Sequence, residues 1–154
     1  MAVDRSKNSH AFENMVEHLF LGELLRHMWF DRQEIVEVAK AQVDSWGYDV
    51  VLAVGHATRY VQLKTSLPAN VQEKLAHRPG GCIVAVLPDR LGHNLTYRFW
   101  EGDAAAIRKL QPAKSTVYKR GGTKREERPG HRLVPNSQFS EKMDVRQLCS
   151  RLFP

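Results

Sequence analysis

The sequence has few cysteines and no long apolar run. Its two cysteines, Cys82 and Cys149, are far apart and show no paired metal-ligand spacing and no disulfide framework. They are typical of reduced thiols in an intracellular protein. The first ten residues are polar and lack the apolar core of a signal peptide, and no apolar stretch approaches the length that spans a bilayer. We therefore expect a soluble, cytoplasmic protein.

Several catalytic patterns are also missing. The seven histidines are scattered, and none forms a close metal-ligand pair with another histidine or a cysteine. No Ser-His-Asp spacing can be defended, and no glycine motif of the phosphate-cradling kind is present. We assign no catalytic histidine and expect no ATP hydrolysis.

Positive charge is in excess. The 154 residues, of which 42% are hydrophobic, fit one globular domain with a full core, residues 1–154. The formal net charge is +6, and the isoelectric point is near 9.5. Phosphate contacts by Lys and Arg release counterions, so this charge favours a polyanionic partner.

Two short runs of strand-forming residues, 48–54 and 60–66, predict a β-hairpin. Successive side chains alternate faces along a strand, so Gln62 and Lys64 point the same way. With a four-residue loop over residues 55–58, Asp49 lies opposite Lys64.

The hairpin would thus gather a carboxylate, an amide oxygen and an ammonium in one patch. Magnesium prefers oxygen ligands and is usually held by one or two carboxylates together with substrate phosphates. An ammonium can stabilise the charge that develops on a phosphate in the transition state. Asp49, Gln62 and Lys64 are therefore our candidate catalytic residues.

At these residues the chain resembles a known family. Gly47-Tyr48-Asp49, followed by a strand, a short loop and Gln62-Leu63-Lys64-Thr65-Ser66, is similar to the core of the PD-(D/E)XK nuclease superfamily. That superfamily has the restriction-endonuclease-like fold and includes restriction enzymes and archaeal Holliday-junction resolvases. Asp49 and Lys64 match the aspartate and lysine of its motif. Tyr48 stands where the motif has proline, and Gln62 replaces the second acid, which makes this a QxK variant.

The resemblance implies a fold, a cofactor and an activity. The fold would be α/β, with a mixed central sheet flanked by helices, and would cover most of the chain. The cofactor would be Mg²⁺ or Mn²⁺, held by Asp49, Gln62 and a glutamate on the first helix. The activity would be metal-dependent hydrolysis of DNA phosphodiester bonds, in restriction, defence or repair. Many cleaving relatives pair two subunits, so a homodimer is one option and the oligomeric state stays open.

Glu23 is the candidate for that helical glutamate. A helix is predicted over residues 11–30, with Ser9 as its N-cap. Glu23 falls in the middle of its apolar stripe, where a carboxylate is costly unless it is paired or binds a metal. The ordinary alternative is that Glu23 reaches solvent or an arginine. The stripe consists of Phe12, Met15, Val16 and Leu19.

The remaining pattern predicts alternating strands and helices. Asp44 is interpreted as a turn residue that could approach the site. Asp103 and Asp144 are predicted to begin helices, and the continuous apolar run 82–87 predicts a strand buried on both faces. The other expected elements are strands over residues 35–43 and 95–100 and a helix over residues 70–77.

Residues 111–132 have almost no core pattern and hold most of the positive excess. Their glycines and prolines predict a flexible loop. One interpretation is a solvated loop without a partner, and the other is an arm that follows a phosphate backbone. The candidate nucleic-acid-binding residues are Lys114, Lys119, Arg120, Lys124, Arg125 and Arg128.

Two other functions compete with metal-dependent cleavage. The first is the same fold without catalysis, serving as a module that binds DNA or a protein partner. The second is an unrelated small α/β binding protein whose basic segment contacts an acidic protein. Metal binding by Asp49 separates cleavage from both, and salt-dependent DNA affinity separates the nuclease-like functions from the last.

Overall fold

The computed structural model describes residues 3–43 and 45–154. Asp44, predicted to be a turn residue, lies outside the described residues. In chain order the elements are helix α1 (Ser9–Arg26), a π-helical continuation (His27–Arg32), strands β1 (Glu37–Lys40), β2 (Val50–Val54), β3 (Ala57–Lys64) and β4 (Ala69–Gln72), helix α2 (Glu73–Ala76), strands β5 (Gly81–Pro88) and β6 (Leu95–Trp100), helix α3 (Ala104–Arg108), strands β7 (Gln111–Lys119) and β8 (Gly122–Val134), a 3₁₀ turn (Asn136–Gln138) and helix α4 (Val145–Leu152).

A five-stranded mixed sheet forms the centre of the fold. Its order is β1-β2-β3-β5-β6, and β3 runs parallel to β5 while the other neighbours are antiparallel. A parallel pair needs a crossover connection, which β4 and α2 supply here. Helices α1 and α4 pack on one face of the sheet, and α2 and α3 pack on the other. The predicted α/β class, with a mixed central sheet flanked by helices, is confirmed.

Side-chain alternation divides the core into two clusters, one on each face of the sheet. Val61 and Val84 belong to the first cluster, with α1 and α4. Ile83 and Ala85 belong to the second, with α2 and α3. Strand β5 contributes to both clusters, as predicted from its continuous apolar run.

The buried side of α1 differs from the predicted stripe. Its buried residues are Val16, Phe20 and Leu24, whereas Met15 and Leu19 are 46% and 38% exposed. Val16, Phe20 and Leu24, which are spaced four residues apart, face the sheet, and this leaves part of the predicted stripe in solvent. The N-cap is Asn8 rather than Ser9, so the predicted cap was wrong by one residue.

Residues 111–132 form a hairpin rather than the predicted loop. Strands β7 and β8 pair from Gln111↔Leu133 to Lys119↔Gly122, and β4 joins them in a three-stranded sheet of order β4-β8-β7. Near its base Ala113 and Val134 are buried, while most other side chains are exposed. The backbone ladder therefore holds the hairpin, and apolar alternation could not reveal it.

Three further elements test the sequence interpretation. Residues 70–77 form β4 followed by one helical turn, because pairing with β8 takes the segment in which a helix was predicted. The first strand is shorter than predicted, and β1 is an exposed edge strand. Asp103 and Asp144 cap α3 and α4, as predicted, and accept hydrogen bonds from Ala106 N (2.8 Å) and Gln147 N (2.9 Å).

Both cysteines are free and buried. Burial raises the pKa of the Cys82 thiol to about 12 and that of Cys149 to about 11. Within the described part of the chain, no helix combines the length and the apolar character needed to cross a membrane.

Candidate active site

The hairpin of β2 and β3 is tighter than predicted. Val54 pairs with Ala57, so the loop has two residues, Gly55 and His56, instead of four. Gly55 has φ +56°, the left-handed conformation that such short hairpin loops need. The predicted pairing of Asp49 with Lys64 is therefore wrong by two residues. Because the error is an even number, side chains predicted to share a face still do.

Backbone hydrogen bonds fix Asp49 at the start of β2. Its N–H donates to Val61 O (2.9 Å), and its carbonyl accepts from Ala41 N (2.9 Å). Its carboxylate Oδ2 accepts from Leu63 N at 2.7 Å. The carboxylate thus lies against the main chain between Gln62 and Lys64.

Gln62 and Lys64 share one face of β3. They pair with Ile83 and Ala85 of β5, whose side chains belong to the second core cluster. The amide oxygen Gln62 Oε1 is buried and has no hydrogen-bond partner among the residues that the structure describes. A buried amide oxygen without a donor costs free energy, so this atom is suited to an additional ligand.

The turn before Asp49 needs a glycine. Gly47 has φ +76°, and a Cβ at this position would lie 2.7 Å from Gln72 Cβ at the end of β4. The turn is thus packed closely against β4. This contact determines how the chain enters the strand that begins beside Asp49.

The structure places Glu23 elsewhere. Its carboxylate Oε2 accepts a hydrogen bond from the Tyr97 hydroxyl at 2.6 Å. Tyr97 is fully buried in the first core cluster, on the sheet face opposite to Gln62 and Lys64. Burial, and then the hydrogen bond and charge of Glu23, raise the pKa of Tyr97, so the hydroxyl stays protonated and donates. The prediction that Glu23 joins Asp49 is corrected, because a tyrosine provides the partner that its position on the helix requires.

The candidate nucleic-acid-binding residues lie along the β7–β8 hairpin. Lys119 forms an ion pair with Glu126. Arg125 donates to Thr116 Oγ1 and to Lys114 O, both at 3.1 Å. Lys114, Arg120, Lys124 and Arg128 are exposed. The hairpin therefore presents both self-paired and solvent-facing cations.

No protein-family model matches the sequence, and no curated protein matches it. The chain is similar to the solved structure of Hjc, a Holliday junction resolvase from Archaeoglobus fulgidus, with 14% sequence identity and a TM-score of 0.44. The match covers 86% of this chain and 98% of the resolvase chain.

The oxygen donors at the site are a carboxylate and an amide. Among residues 3–43 and 45–154, no group of three or more His, Cys, Asp or Glu side chains could hold a metal ion. The unpartnered Gln62 Oε1 beside the Asp49 carboxylate nevertheless fits a hard cation, which takes amide oxygens and completes its shell with water or phosphate. The donor set is that of a weak site rather than a preformed cage.

Sequence reasoning missed a group of cations and aromatic rings near this site. The guanidinium carbon of Arg78 lies 4.6 Å from the centre of the Trp46 ring and 4.5 Å from that of Tyr60. These residues come from the turn before Asp49, from β3 and from the turn that follows α2, so no sequence spacing joins them. The sequence signal was confined to Trp46 itself, an aromatic residue in a glycine turn.

Proposed function

We propose that the protein is a metal-dependent nuclease that hydrolyses phosphodiester bonds of DNA. The observation that carries the proposal is the arrangement at the end of β3. The Asp49 carboxylate is held 2.7 Å from Leu63 N, and the buried, unpartnered Gln62 oxygen comes from the neighbouring residue. The resemblance of this segment to the PD-(D/E)XK motif supports the same function.

Each side chain has a separate role in this proposal. Asp49 and Gln62 would hold Mg²⁺ or Mn²⁺ through their oxygens. When bound, the cation supplies Lewis-acid charge at the scissile phosphate. The Lys64 ammonium stabilises the negative charge that develops on the phosphate as water attacks and the leaving oxygen departs. Glu23 is left out of this set, because its carboxylate bonds to Tyr97.

The neutral amide has a consequence for metal binding. With one carboxylate where relatives carry two acids, the free protein should bind the cation weakly and rely on substrate phosphate to complete the shell. The basic hairpin β7–β8 would supply sequence-independent phosphate contacts that bring this phosphate to the site.

A cleavage assay tests the proposal. Plasmid, single-stranded and branched DNA are incubated with Mg²⁺ or Mn²⁺ and wild-type protein, Asp49→Asn or Lys64→Ala. We expect Asp49→Asn, which preserves shape but removes the anionic ligand, to abolish cleavage. Lys64→Ala should lower the rate by roughly 10²- to 10³-fold, the usual cost of losing one preorganised charge-stabilising group, and should leave metal binding unchanged.

A matched control distinguishes loss of the site lysine from loss of one positive charge elsewhere on the surface. Lys109→Ala removes an exposed lysine just after α3 and should cleave like wild type. Equal loss in Lys109→Ala and Lys64→Ala would show that net charge, not the site, controls the rate. No metal-dependent cleavage on any substrate would refute catalysis.

One observation favours a second function. The described residues hold no cluster of three or more metal-ligating acids, cysteines or histidines, which fits a nuclease-fold module that binds DNA or a protein without cutting. In that event wild-type protein would bind DNA with a steep salt dependence, and Asp49→Asn would bind it equally well.

A further inference from the structure

A pocket of about 610 Å³ opens beside the candidate active site. Its walls include Trp46 from the turn before Asp49, Tyr60 from β3, and Lys74, His77 and Arg78 from α2 and the turn that follows it. None of its lining residues in the described part of the chain is acidic. The volume is that of a site for a small ligand or a single nucleotide.

The pocket joins aromatic surface to positive charge. Trp46 is 47% exposed, so part of its ring can accept a stacked ligand. The ammonium of Lys74 lies 5.7 Å from the centre of the same ring, and the guanidinium carbon of Arg78 lies 4.6 Å from it. The neighbouring acid Glu73 is taken up by Arg132, with 2.6 Å between Oε1 and Nε. The cations beside Trp46 are thus not cancelled by this carboxylate.

The walls are held by the backbone. Tyr60 N donates to Gly80 O at 3.0 Å, which ties the turn after Arg78 to β3. Gly80 has φ +83°, and a Cβ there would lie 2.3 Å from Thr58 O. Tyr48 packs edge-on against Tyr60, with ring centres 5.2 Å apart. The aromatic and cationic groups are therefore arranged before any ligand arrives.

The pocket is close to the residues proposed for cleavage. Tyr60 precedes Gln62 by two residues on β3, so their side chains share a face about 7 Å apart. Trp46 precedes Asp49 by three residues on the neighbouring chain segment. A polynucleotide with a phosphate at Asp49 and Gln62 would pass this pocket with an adjacent nucleotide.

We infer that this pocket binds one unpaired nucleotide of a DNA strand, with its base stacked on Trp46 and its phosphate near Lys74 and Arg78. A base within a duplex cannot reach an aromatic ring in a pocket, whereas an unpaired base can. The inference rests on the proposed function and deepens it, because it names DNA with an unpaired nucleotide next to the cleaved bond as the substrate class.

A binding experiment in EDTA tests this without cleavage. Fluorescence anisotropy compares a labelled dT octamer with a labelled abasic octamer, which has the same phosphates and no bases. Wild-type protein should bind the dT octamer roughly 5- to 150-fold more tightly, the range expected for one stacked base. Trp46→Ala should reduce this ratio to about one.

Three variants sharpen the result. Trp29→Ala removes a tryptophan that is 60% exposed at another place on the surface, and should keep the wild-type ratio. Trp46→Leu retains apolar packing without an aromatic face, and its ratio of dT-octamer affinity to abasic-octamer affinity should also fall to about one. The test therefore does not depend on whether Trp46→Ala folds. Trp46→Phe should restore much of the wild-type ratio.

Each outcome bears on one proposal. A ratio near one in wild type, or an unchanged ratio in Trp46→Ala, would overturn the pocket assignment. Equal weakening of both probes in Trp46→Ala would overturn it as well, since only phosphate contact would have been lost. Base-selective binding without any metal-dependent cleavage would refute the nuclease proposal and leave the pocket standing.

Discussion

Replacing Gln62 by glutamate tests the site through its charge. The two side chains have nearly the same shape, so the change adds a carboxylate without altering packing. Gln62 Oε1 is buried and unpartnered among the described residues, and Asp49 lies against the next peptide group. Two carboxylates about 5 Å apart repel each other by about 3 kcal/mol at an effective dielectric constant of about 20.

That repulsion should appear as lower stability in EDTA. For a chain of this size 1 kcal/mol corresponds to roughly 2–4 °C, so Gln62→Glu should unfold up to about 12 °C below wild type. The Lys64 ammonium on the same face reduces the loss. A divalent cation should reverse it, and we expect Mn²⁺ or Mg²⁺ to bind the variant at least about tenfold more tightly than wild type.

Thermal unfolding with and without metal, together with calorimetric titration, measures both effects. Gln138→Glu is the matched control, since it adds the same charge at an exposed position. Equal unfolding temperatures of Gln62→Glu and Gln138→Glu in EDTA, together with an equal increase of both temperatures on adding metal, would contradict this prediction.

Three further predictions concern other parts of the molecule. Changing the exposed Arg120, Lys124 and Arg128 to glutamine should weaken binding of all DNA sequences alike and lower the log–log salt slope by about three, and an unchanged slope in anisotropy titrations would exclude phosphate contacts there. Gly80→Ala should lower the free energy of unfolding, measured in urea, by roughly 2–4 kcal/mol, because its Cβ would lie 2.3 Å from Thr58 O. Gly92 has a similar φ but open space around it, so Gly92→Ala should lower the free energy of unfolding by only about 1 kcal/mol. Glu23→Gln keeps an acceptor for the Tyr97 hydroxyl and should bind Mg²⁺ or Mn²⁺ as tightly as wild type in calorimetric titration. Weaker metal binding by this variant would show that Glu23 is a metal ligand after all.

Much of the central sheet could be predicted, because its strands appear in the sequence as continuous or alternating apolar residues. The continuous run in β5 and the bounds of β6 follow from burial on one or both faces. The caps at Asp103 and Asp144 are equally local, since a side chain bonds an amide three residues away. Elements that depend on their own side chains could therefore be predicted from the sequence.

The second sheet could not be predicted in the same way. Strands β7 and β8 are held by backbone pairing and are mostly exposed, so charge and glycine content indicated a loop. Likewise β4 replaces a predicted helix because β8 is available as a partner. Such pairing depends on residues far away in the chain, which local propensity does not record.

Two predictions about the candidate site failed in different ways, one about the length of the hairpin loop and one about the helical glutamate Glu23. Side chains in a strand repeat every two residues, so a loop shorter by two residues moves Asp49 from the predicted position opposite Lys64 to a position opposite Gln62, on the same face. On α1 the repeat is 3.6 residues, and the buried row passes through Phe20 and Leu24 beside Tyr97. Glu23 therefore meets the Tyr97 hydroxyl on the face opposite to Gln62, a contact that the helical position of Glu23 alone does not reveal.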